Sequence, residues 1–67
     1  MAALPQPAVE LLIGAVKTFG RFGPAYEVIG YAGRSEQGKD MVTICVLRTG
    51  ETTTYEVDAM RQDPEAV

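Results

Sequence analysis

The 67 residues contain no histidine, no tryptophan and a single cysteine, and each scarcity removes a class of chemistry. Without histidine a zinc site of the Cys/His type is excluded within one chain, along with the side chain most often used as a general base near neutral pH. A lone thiol, Cys45, rules out an intrachain disulfide. A chain this short must then be held by its core, by association, or by both. The mid-strand position of Cys45 points to a reducing compartment or to indifference to redox. No apolar run approaches the length of a membrane-spanning helix, and the N-terminus lacks the basic region of a signal peptide. The default expectation is a soluble cytoplasmic protein. No glycine-rich run is followed by Lys-Ser or Lys-Thr, which excludes a P-loop. No cofactor and no metal are expected.

Charge is scarce at the start of the chain and uneven after it. The net charge is −3, and an acidic chain is a poor general binder of nucleic acid, because Lys and Arg contacts to phosphate dominate that affinity. Only Glu10 is charged among residues 1–16. Residues 17–39 carry Lys17, Arg21, Arg34 and Lys39 against Glu27 and Glu36, a local balance of +2. Residues 40–67 carry a balance of −4.

What is present is clearest over residues 41–57. Val42, Ile44 and Val46 alternate with Met41, Thr43, Cys45 and Leu47, a β-branched run suited to a pleated surface. Gly50 supplies a residue tolerant of positive φ for a turn, and Thr52 to Val57 restores a period of two. With Thr49-Gly50 as a two-residue loop, Val46 faces Thr53, Ile44 faces Tyr55 and Val42 faces Val57. That register gathers the apolar residues on one face and sends Thr52, Thr54, Glu56 and Asp58 to the other.

Upstream, Val9, Leu12, Ile13 and Val16 fall at helical spacing, with Pro7 suited to the first turn and Gly20 to the stop. Gly14 weakens that helix, and the competing reading makes residues 13–19 a strand of a small, partly open barrel. Gly20-Arg21-Phe22-Gly23-Pro24 is a glycine-framed turn leading into a strand over residues 26–31. The register of this strand is open. Tyr26 and Val28 share one face, Glu27, Ile29 and Tyr31 the other, and Gly30 is a candidate bulge. Residues 33–40 form a polar connection, and Asp58 is the expected cap of a short helical turn ended by Asp63-Pro64. The fold expected is a single α+β domain, ordered over about residues 7–62, with an N-terminal helix packed on a three-stranded antiparallel meander and a short C-terminal helical turn.

The block from Lys17 through Val28, with Thr54-Tyr55-Glu56-Val57 and Asp63-Pro64-Glu65-Ala66, resembles a family of small bacterial proteins of unknown function. The resemblance covers roughly residues 13–66 and implies a bacterial single-domain protein. It brings no known activity, cofactor or catalytic residue.

Three functional classes can be weighed on the residues. Catalysis would have to use carboxylates such as Glu56, Asp58 and Glu27, or Cys45 with no histidine to activate it; solvating charges and a half-buried thiol are the simpler readings. A nucleic-acid-associated regulator of antitoxin type would use a basic, aromatic-flanked patch of Lys17, Arg21 and Phe22, with Arg34 and Lys39 nearby. The favoured class is a non-enzymatic regulatory or adaptor protein acting through an unidentified protein partner or a second copy of itself. Its candidate contact residues are Thr43, Cys45, Leu47, Ile29 and Tyr31, on the sheet face turned away from the helix.

Overall fold

The computed structural model describes residues 12–66. Four strands, β1 (Val16–Thr18), β2 (Ala25–Arg34), β3 (Asp40–Val46) and β4 (Thr52–Glu56), form one antiparallel sheet in the order β1-β2-β3-β4, and helix α1 (Val57–Gln62) follows. Residues 64–66 return along β1. The Thr18 N–H donates to the Pro64 carbonyl at 3.0 Å, and the Ala66 N–H donates to the Val16 carbonyl at 3.0 Å. The first edge of the sheet is thereby covered by the end of the same chain.

This architecture replaces the expected helix on a three-stranded meander. Pro7 and Val9, which open that helix, lie outside the described residues. From Leu12 onward the chain is turn and then strand. Gly14 sits at φ 95°, in the left-handed region that an α-helix does not visit. Its N–H donates to the Val28 carbonyl at 2.7 Å, and the Val28 N–H donates to the Ala15 carbonyl at 2.9 Å. Those groups are thus bonded to β2 rather than along a helix. The strand reading of residues 13–19 is the one that forms, over Val16–Thr18.

The core lies on one face of the sheet and is completed by α1. Tyr26, Val28, Val42 and Ile44 from β2 and β3 are buried against Val57 and Met60 of the helix, with Leu12, Ala15, Phe19 and Tyr55 packed around them. The covering helix comes from the C-terminal side. Asp58 lies inside its first turn, and the cap position belongs to Glu56, which makes no side-chain capping bond.

The hairpin forms with its faces as expected and its register two residues away. Val42 pairs with Tyr55 and Ile44 with Thr53. The connection is residues 47–50 rather than two residues. The Val46 N–H donates to the Glu51 carbonyl at 2.8 Å, the Gly50 N–H donates to the Val46 carbonyl at 2.7 Å, and Gly50 adopts φ 76°. A shift by an even number keeps every side chain on its own face. It also releases Val57 from the strand, so that it starts α1 and still reaches the core.

β2 carries the bulge foreseen at Gly30. Val28 pairs with Ile44 and Gly30 with Thr43, so Ile29 is the extra residue; a second shift between Tyr31 and Gly33 makes Ala32 extra. Beyond the first bulge Tyr31 pairs with Val42, which puts it on the core side of the sheet and not beside Thr43.

Ile44 is fully buried at the centre of the core. Ile44→Ala should cost about 2–5 kcal/mol, the range for truncating a buried Ile. A urea melt losing less than about 1 kcal/mol would show that this face does not carry the core.

Candidate functional site

Two assemblies of side chains stand out, one inside the sheet and one on its outer face. The inner one is built on Asp63, just past α1. Its Oδ2 accepts from the Tyr26 hydroxyl at 2.7 Å and from the Tyr55 hydroxyl at 2.9 Å. Its Oδ1 accepts from the Gly20 N–H at 3.0 Å. One carboxylate therefore joins β2, β4 and the turn over residues 19–24. Phe19 completes the group, its ring centroid 4.4 Å from that of Tyr26 and 5.3 Å from that of Tyr55. Offset and edge-on aromatic contacts of this kind add to the area they bury.

Lys17 closes the same region from β1. It is paired with Tyr26 in the sheet and only 8% exposed, and its ammonium donates to the Met60 carbonyl at 2.7 Å. A buried ammonium is costly unless it is hydrogen-bonded, and the Met60 carbonyl near the helix end is a natural acceptor.

The electrostatics follow from this packing. Burial alone would raise the Asp63 carboxyl. Hydrogen bonds from Tyr26, Gly20 and Tyr55, together with the Lys17 charge, outweigh it and hold the group below its ordinary value. Burial, followed by the bond to Asp63, pushes the Tyr26 and Tyr55 hydroxyls up. These shifts run away from neutrality, whereas proton transfer near pH 7 needs groups poised there. The arrangement works as a clamp. The sequence marks Asp63 only as a helix terminator. The signal for its role was the pair of core-facing tyrosines, since a buried phenol needs a partner, but several carboxylates were candidates.

The residues of the proposed basic patch do not assemble. Lys17 is turned inward to Met60. Arg34 donates from Nη2 to the Gly38 carbonyl at 2.9 Å, and its Nε lies 3.8 Å from Asp40. Arg21 is exposed in the turn and Phe22 is 94% exposed beside it. The carboxylate cluster also disperses, since Asp58 belongs to α1, Glu56 ends β4 and Glu27 lies opposite Cys45. Among the described residues no three metal-ligating side chains converge, and no helix is long and apolar enough to cross a membrane.

The outer face holds four of the five candidate contact residues. Cys45 and Thr43 are half-buried in β3, Ile29 bulges opposite Thr43 and is 45% exposed, and Leu47 is 49% exposed. Leu47 continues the alternation of β3, its N–H donating to the Ala25 carbonyl at 3.0 Å. Tyr31 leaves the group. Its hydroxyl donates to Asp40 Oδ1 at 2.9 Å, and that bond and burial raise its pKa.

Comparison with known proteins agrees with the resemblance read from the sequence. Residues 2–67 match a sequence family described as a family of unknown function, DUF5397. A protein of Haemophilus influenzae described as an uncharacterized protein is 38% identical over 57 residues, spanning 85% of this chain and 90% of that protein.

The clamp makes a two-sided prediction. A folded pKa lowered at Asp63 means that its contribution is present above the unfolded value near about 4 and is lost as pH falls through the folded one. Raised folded values at Tyr26 and Tyr55 mean a contribution present below about 10 and lost as pH rises through them. Asp63→Asn should cost about 1–3 kcal/mol at neutral pH and flatten the acid limb of a stability profile measured by urea melts. An acid limb identical to that of the wild type would remove Asp63 from this role.

Proposed function

The chain belongs to the DUF5397 family of unknown function, and we propose that it acts without catalysis, through protein–protein contact, as a small regulatory or adaptor protein. The observation that supports this reading is the outer face of the sheet. Ile29 and Leu47 are both exposed there, with Thr43 and Cys45 along β3 on the same face and Glu27 opposite Cys45. Monomeric proteins expose single apolar residues routinely; grouping them on one sheet face is what an interface core requires. Asp63, Tyr26 and Tyr55 are held by hydrogen bonds in the clamp, and its shifts suit stability rather than turnover. A nucleic-acid-associated regulator is the weaker proposal, because its patch depends on Lys17.

A photo-crosslinking residue in place of Leu47, introduced in cells that produce the protein naturally, tests the reading. The expected product is an adduct with a protein, lost when Ile29→Glu places a charge in the contact. Adducts with nucleic acid, or none, would overturn it.

A further inference from the structure

The two edges of the sheet differ. Beyond β1 runs the short stretch of residues 64–66, which contains Pro64. Short, proline-containing edges are protected against further pairing. No described residue pairs beyond β4. That strand carries no proline, no lysine and no bulge, and Glu56 is the single charge in Thr52-Thr53-Thr54-Tyr55-Glu56.

The free backbone groups of β4 can be assigned. The bond between the Val46 N–H and the Glu51 carbonyl fixes which pairs of the hairpin are hydrogen-bonded, and antiparallel pairs alternate. Thr53 and Tyr55 therefore direct their N–H and C=O groups to β3. Thr52, Thr54 and Glu56 direct theirs outward. Resting on the reading of the protein as a contact module, we infer that β4 pairs antiparallel with β4 of a second copy of this chain, about a two-fold axis at Thr54.

The sequence of the strand favours a second copy, and this register, over other arrangements. With Thr54 opposite Thr54, Thr52 lies opposite Glu56 and Glu56 opposite Thr52, so every outward group finds a partner. Threonine pairs across strands are favourable, and like charges directly opposite are not. Moving the axis to Glu56 would set two carboxylates face to face and would run the pairing into α1. Moving it to Thr52 would leave Glu56 beyond the strand, opposite the loop. The two-fold axis at Thr54 also keeps both outer faces on the same side, so Thr43, Cys45 and Ile29 of the two copies lie on one continuous surface.

Sedimentation equilibrium with two kinds of variant tests the pairing. Thr54→Pro removes an outward N–H that no described strand pairs with, in an edge position where proline is tolerated. It should convert a dimer to a monomer with an unchanged circular dichroism spectrum. In a Cys45→Ala background, Thr54→Cys should oxidise to a covalent dimer. Its Cα would lie about 5.5 Å from its mate, within disulfide reach. Thr52→Cys should not, because the offset of four residues separates the two thiols by about 13 Å. The cysteine pair answers the question even where the proline variant fails to fold. A wild type that stays monomeric at several hundred micromolar, or equal cross-linking at both positions, overturns the pairing. A monomer that still yields a protein adduct at Leu47 overturns it while leaving the contact-module reading intact; a monomer that yields none sinks both.

Discussion

A single carboxylate, Asp63, ties together segments that are not neighbours in the sheet. Adjacent strands are spaced about 4.8 Å apart, so β2 and β4, with β3 between them, stand roughly 10 Å from each other. The Tyr26 and Tyr55 hydroxyls meet on Asp63 Oδ2, their rings touch edge-on, and Phe19 packs against both from the turn after β1. The same residue orients the chain end, since residues 64–66 follow directly and pair with β1. Hydrogen bonds to a charged group contribute about 1.5–3 kcal/mol each. In a domain whose stability lies at the low end of the usual range, three such bonds on one side chain are a large share. Without them the end of α1 would be tied to the sheet only by the Lys17 bond to the Met60 carbonyl and by the pairing of residues 64–66 with β1.

The clamp bears on function through what it leaves outside. Inside, the polar atoms are satisfied: no buried side-chain nitrogen or oxygen among the described residues lacks a partner. Lys17, Asp63, Tyr26 and Tyr55 are committed to one another or to the backbone of α1. The groups still available lie on the other side of the sheet, where Ile29 and Leu47 are exposed, and along β4. Among the described residues one edge of the sheet is covered by residues 64–66, and none pairs along the other. That asymmetry gives the proposed contacts a direction.

Much of this was legible in the residues. The alternation of residues 41–57 located the hairpin and its faces, Gly50 its turn, Gly30 the bulge, and the Gly20-to-Pro24 stretch the reversal into β2. Side-chain alternation has a period of two, so the apolar pattern selects a face whatever the pairing partner. The same property explains the hairpin error. A register displaced by two residues satisfies the pattern equally well, and only the closure of a four-residue loop at Val46 and Glu51 chose between them.

The region around β1 was beyond such reasoning, because its pattern is inverted. Val16 and Thr18 flank the residue that points to the core, and that residue is Lys17. Hydrophobic periodicity cannot announce an inward lysine; its burial is made favourable by the Met60 carbonyl, 43 positions away in the chain. The apolar spacing of Val9, Leu12, Ile13 and Val16 suited a helix, but the Gly14 N–H donates to the Val28 carbonyl and the Ala15 carbonyl accepts from the Val28 N–H, which ties both residues to the strand beside them. Tyr31 likewise changed faces because a bulge sits between it and Val28. Local pattern thus determined that β2, β3 and β4 are strands, which residues face inward over β3 and β4, and where the chain turns between them. The tertiary structure decided the identity of the covering helix, the burial of Lys17 and the convergence on Asp63, since each depends on atoms that distant segments bring together and that no local periodicity encodes.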